Sequence, residues 1–111
     1  MDFDSDRLLL ARARLSDLLD ALQLTHFGSN PVLFFTRLES IREAAKIHQF
    51  HAAAKIAAAF EDAMQRAMEK GGTDTVIGNY TQILRDAIGC KNLDAVIAES
   101  MLASVAIRLR T

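Results

Sequence analysis

Between Pro31 and Gly71 the chain has neither glycine nor proline. This unbroken run limits the possible folds more than any other feature. Its later part, IREAAKIHQFHAAAKIAAAFEDAMQRAMEK from Ile41 to Lys70, is dense in alanine and holds two of the three histidines. A continuous helix over Pro31–Lys70 would be about 60 Å long at the α-helical rise. A globular chain of this length is about 35–40 Å across. The run must therefore break without a formal breaker, or project as a rod that a partner chain covers. Its weakest helix formers cluster at Ile47-His48-Gln49-Phe50-His51, and a break or kink is expected there.

The flanking segments also read as helices. The first runs from about Ser5 to Thr25, with Asp4 or Ser5 as cap. Leu8, Leu15, Leu18, Leu19 and Leu22 recur at helical spacing, with Asp17 and Asp20 outside the stripe. His26 falls in its last turn, and Gly28 is placed as a left-handed stop. Asn30-Pro31 restarts the chain: asparagine caps, and proline at the first helical position loses no hydrogen bond. Phe34, Leu38, Ile41 and Ala45 form the buried row of the second helix. Glu39/Arg42 and Glu43/Lys46 read as solvent-face pairs.

A third helix runs from about Phe50 to Lys70. Its expected core row is Ile56, Phe60, Ala63, Met64 and Ala67, and its alanines let neighbours approach closely. Gly71-Gly72 ends it, and Thr73 or Asp74 caps the next. The fourth helix, about Thr75 to Ile88, has the clearest amphipathic pattern: Val76, Ile77, Tyr80, Ile83, Leu84, Ala87 and Ile88. Gly78 within it suggests a close helix crossing. After Gly89, Asn92 caps a fifth helix from Leu93 to about Leu109, burying Leu93, Val96, Ile97, Met101, Leu102 and Val105. Short connections between helices make neighbours antiparallel. The expected fold is all-α, an up-and-down antiparallel bundle of four to five helices. A four-helix core plus an N-terminal helix is the simplest arrangement, and the whole of residues 1–111 reads as a single helical-bundle domain.

Composition narrows the function. Lys and Arg number 13 against 14 Asp and Glu, for a net charge of −1. The arginines Arg7, Arg12, Arg14, Arg108 and Arg110 alternate with acids, so they read as solvated surface rather than a nucleic-acid face. No apolar run reaches the ~20 residues of a membrane span. The acidic start MDFDSD is unlike a secretory signal. Cys90 is the single cysteine, which fits a reducing compartment. It lies at a helix C-terminus, where the dipole disfavours a thiolate, and reads as structural. A cytoplasmic location is the expectation. Nothing matches a phosphate-cradling loop, a nucleophile elbow or a paired-carboxylate site. An independent enzyme is not expected, and no cofactor is called for.

The histidines carry the candidate chemistry. His48 and His51 are three residues apart and would share one side of a helix. A closed zinc site needs four ligands, and no third ligand stands at a recognisable position, so no metal is assigned. His51 and Lys55 stand one turn apart among small residues, His51-Ala-Ala-Ala-Lys55. This cluster, on a central helix of a small bundle, resembles a histidine phosphotransfer (HPt) domain. The family motif is His-x-Leu-Lys-Gly. Here Ala54 takes the lysine position, Lys55 follows it, and the motif is not intact.

The resemblance implies an exposed histidine that carries a phosphoryl group between receiver domains. His51 would be the phosphoryl acceptor and Lys55 its charge partner, with His48 a second candidate. A cation near the phosphoryl offsets its added charge. The segment YTQILRDAIGCKNLDAVIAESMLASV is similar to phasins, helical proteins that coat polyester granules, which implies binding to a hydrophobic surface. The reading that follows is a non-enzymatic protein–protein interaction module, a signalling adaptor or HPt-like phosphotransfer protein with a protein partner such as a receiver domain. The alternative is a structural homo-oligomeric bundle, a homodimer through the central helix, or a phasin-like coat protein.

Overall fold

A computed structural model describes residues 3–89 and 95–110. It contains five helices: α1 (Phe3–Gln23), α2 (Pro31–Ile47), α3 (His51–Lys70), α4 (Thr73–Gly89) and α5 (Ala95–Arg110). No strand occurs among the described residues. Helices α1 to α4 pack in a closed ring, each against the next and α4 back against α1. Helix α5 packs on α3 and α4. The fold is an all-α up-and-down bundle, but the added helix is the C-terminal one. The Leu15, Leu19 and Leu22 row of α1 is completely buried, and this strong stripe places α1 inside the ring. The bundle is elongated, with a longest axis of 51 Å and a radius of gyration of 13.9 Å.

The long run breaks where its helix propensity is weakest. Helix α2 ends at Ile47 and α3 starts at His51. Gln49 adopts φ 63°, a left-handed conformation that favours glycine. The Phe50 N–H donates to Ala45 O at 2.8 Å and the Gln49 N–H to Lys46 O at 3.1 Å. These two bonds form a Schellman motif with Gln49 at C′ and Phe50 at C″. Phe50 packs against the core, into which Ala45 is fully buried. The apolar contact and the satisfied carbonyls offset the left-handed cost, so the turn forms without glycine.

The remaining ends combine expected and unexpected devices. Asn30 caps α2, its Oδ1 accepting from the Leu33 N–H at 3.0 Å. Gly71, at φ 92°, closes α3 by donating its N–H to Ala67 O at 2.7 Å. Gly28 does not stop α1: the helix ends at Gln23, and Gly28 lies in the following turn without a positive φ. Thr25 and Arg37 close α1 instead. Thr25 Oγ1 donates to Ala21 O at 2.8 Å, and Arg37 Nη1 donates to the same carbonyl at 3.0 Å. His26 is consequently outside the helix. Asp4 and Ser5 fall within the first turn of α1 rather than before it, and Thr73 is already helical.

The buried rows of α2 and α3 contain every residue expected there, with Ala52, Ala53 and Ala57 added. Helix α3 touches α2, α4 and α5, and its alanines supply the small faces that three neighbours require. In α4, Ile77 is half-buried while Thr81 is buried, its hydroxyl donating to Ile77 O at 2.6 Å. Gly78 is exposed, and apart from its chain neighbours and the local backbone of its own helix no described atom lies within 4 Å of where its Cβ would be. It marks no close crossing. A chain of edge-to-face rings runs from Phe27 through Phe34 to Phe60, which stacks on Tyr80 with centroids 5.2 Å apart. Such pairs add to the area they bury. In α5, Val105 is buried and Met101 and Leu102 pack on the core. Cys90, Asn92 and Leu93 lie outside the described residues, as do the side chains of Val96 and Ile97.

Candidate functional site

The α2–α3 elbow displays the residues singled out by sequence. His48 is the C-cap of α2, its N–H donating to Ala44 O at 3.0 Å. His51 is the first residue of α3, and Phe50 before it makes no side-chain cap. Both histidines are exposed. They do not share a helix face, because the left-handed Gln49 separates them onto two helices. No group of three or more His, Cys, Asp or Glu side chains suited to a metal occurs among the described residues.

Lys55 is half-buried one turn beyond His51. The first amides of α3 have no partners within the helix, and the helix dipole makes this end favourable for negative charge. An exposed imidazole, a helix N-terminus and a lysine one turn on therefore occupy one end of α3. That arrangement suits an added anionic group on His51.

Beside the elbow is an open cleft of about 410 Å³, lined by Arg7, Leu8 and Ala11 of α1 and by Ile47, His48, Gln49 and Phe50. Ile47 is 76% exposed, and Leu10 on α1 is 73% exposed. His51 is not among the lining residues. This cleft is not legible in the sequence, since only tertiary packing brings α1 to the elbow. One local signal was present: Ile47 is apolar yet falls outside the Phe34, Leu38, Ile41 and Ala45 stripe.

The arginines divide between surface and structure. Arg7 and Arg14 are exposed, whereas Arg12 is half-buried. Arg12 Nε donates to Ile88 O at 2.9 Å, at the C-terminal end of α4, and its Nη2 is buried with no hydrogen-bond partner among the described residues. Arg12 therefore joins α1 to α4 and is not solvated surface. At the opposite end of the bundle, a cleft of about 300 Å³ lies between the α1–α2 turn and the start of α4. His26 lines it, with Nδ1 3.2 Å from the Ser29 backbone N and Oγ.

No described helix is long and apolar enough to cross a membrane. The class defined by this architecture is a five-helix all-α bundle with an exposed, histidine-bearing elbow. Comparison with protein-family models, curated proteins and solved structures gives no match.

Proposed function

We propose that this chain is a non-enzymatic protein–protein interaction module, a signalling adaptor that meets its partner at the α2–α3 elbow. One observation carries the reading: Ile47, His48 and His51 are exposed together at the elbow, beside an open cleft. Elsewhere the apolar stripes of α1 to α4 are consumed in a common core. Contiguous apolar surface rimmed by polar groups marks a docking site, and Ile47 adjoins Leu8, Ala11 and Phe50 in the cleft beside His48 and Gln49. The test is quantitative affinity capture with the wild-type chain, an Ile47→Asp elbow variant and a Val32→Asp control. Val32 is equally exposed, near the opposite end of α2. Partners lost with Ile47→Asp alone support the reading; equal recovery with both variants removes it.

A second reading is HPt-like phosphotransfer, favoured by exposed His51 at the N-terminus of α3 with Lys55 on the next turn. In that reaction an imidazole nitrogen of His51 attacks the phosphorus of a receiver's aspartyl phosphate. The N–P bond forms as the P–O bond to the carboxylate breaks, and Lys55 balances the charge. A phosphorylated receiver then labels the wild-type chain and leaves His51→Gln unlabelled. Labelling of His51→Gln at the wild-type level excludes this role.

The rod-like homodimer and the coat protein have less support. The break at Gln49 folds the long run back on itself, and Met101, Leu102 and Val105 pack against the core. Light scattering separates these readings: a dimeric mass revives the first, and saturable binding to polyester particles revives the second.

A further inference from the structure

We infer that the elbow cleft receives an acidic, apolar segment of a partner protein, an apolar side chain entering the cleft while a carboxylate meets Arg7. This rests on the elbow being the interaction surface and adds the chemistry of what it binds. The cleft has an apolar wall of Leu8, Ala11, Ile47 and Phe50. Its polar lining is Arg7, His48 and Gln49, with no carboxylate among the described residues.

The surrounding charges sharpen that preference. Lys46, next to Ile47, is exposed. Glu43, the acid one turn before Ile47, lies 3.2 Å from Arg42 Nη1 in an ion pair. Asp6 is exposed but does not line the cleft. Among the described lining residues the one full charge is the cation of Arg7, in a chain whose net charge is −1. An arginine fork matches a carboxylate in two parallel hydrogen bonds. A segment that presents only apolar groups leaves Arg7 unanswered, and a basic segment is repelled. Specificity at such a rim comes from charge, and the apolar seat supplies affinity. An anionic membrane calls for a broad basic face; here a single arginine lines a confined cleft.

The test uses fluorescence anisotropy with a labelled amphipathic peptide carrying Leu on one helical face and Glu on the other. A Leu/Lys peptide and a Ser/Glu peptide serve as controls. Saturable binding is expected for the Leu/Glu peptide alone. Arg7→Glu should weaken it by about tenfold, since reversal removes an attraction and adds a repulsion. The same variant should gain affinity for the Leu/Lys peptide. Arg7 and Ile47 are exposed, and circular dichroism checks that their variants stay folded.

Equal binding of the Leu/Glu and Leu/Lys peptides overturns the inference, as does unchanged binding by Arg7→Glu or no saturable binding. If peptide binding fails while Ile47→Asp still loses its captured partners, the acidic ligand is wrong and the elbow reading stands. If capture is also indifferent to Ile47→Asp, both fall. A doubled mass that Ile47→Asp returns to monomer assigns the cleft to a second copy and overturns the acidic partner.

Discussion

Arg42 and Glu61 join α2 to α3, with Arg42 Nε donating to Glu61 Oε2 at 2.7 Å. Both side chains are largely withdrawn from solvent, at 23% and 18% exposure. The Glu61 hydrogen bond is the main cause of a raised Arg42 pKa. Arg42 does not pair with Glu39 on the solvent face as the i,i+3 spacing suggests. It reaches across the helix interface, and its Nη1 meets Glu43 at 3.2 Å. Glu61→Ala should cost about 1 to 2 kcal/mol, because it leaves a half-buried guanidinium without its charged acceptor. Urea denaturation measures this, and Glu39→Ala should be close to neutral.

Gln49 offers a stabilising change. Its left-handed φ of 63° carries a steric cost that glycine lacks. Gln49→Gly should stabilise the bundle by up to about 1 kcal/mol, less the extra entropy glycine loses on folding. Gln49→Val should destabilise it, because a β-branched residue is poorly tolerated there. Thermal unfolding of the three proteins should rank them Gly, Gln, Val from most to least stable.

Arg12 ties α1 to the end of α4 through Ile88 O. Its stem packs in a partly buried position, and its guanidinium also favours the negative end of the α4 dipole. Arg12→Ala should cost about 2 kcal/mol through the lost charged hydrogen bond and lost packing. Arg14→Ala, at an exposed position two residues on, should change little. Chemical denaturation of both variants makes the comparison.

Tyr80 should make stability fall at high pH. Burial is the main cause of its raised pKa; Asp62 adds to the rise and Arg66 opposes it. A phenol with a raised folded pKa keeps its proton in the bundle while the unfolded chain loses it. The unfolded chain then binds fewer protons, so stability declines as pH rises above about 10, the ordinary tyrosine value. Tyr80→Phe should flatten this part of the profile. Urea midpoints measured across that range check the sign.

Much of the helical plan is legible because it is periodic and local. Phe34, Leu38, Ile41 and Ala45 repeat at i, i+3 and i+4, and all four are buried. Asn30 caps its own helix within three residues. The weak stretch at Ile47–His51 contains the break. Gly28 misled because a glycine near a helix end resembles a stop. There Arg37, distant in sequence, and Thr25 take the terminal carbonyl instead. For the site, exposed His51 and its helical neighbour Lys55 were legible. The cleft between α1 and the elbow was not, since no local pattern records which helix ends meet.

The sequence by itself determined the all-α class, the buried rows of α2 and α3, and where a break in the long run would fall. These follow from side-chain periodicity, propensity and length, all properties of neighbouring residues. Only the tertiary structure decided that α1 closes the ring and α5 is added to it. It also decided that Arg42 answers Glu61, that Arg12 serves the end of α4, and that His48 and His51 belong to different helices. Those relationships depend on the register and rotation of packed helices. A left-handed Gln49, held by Phe50 against the core, sets both at the elbow.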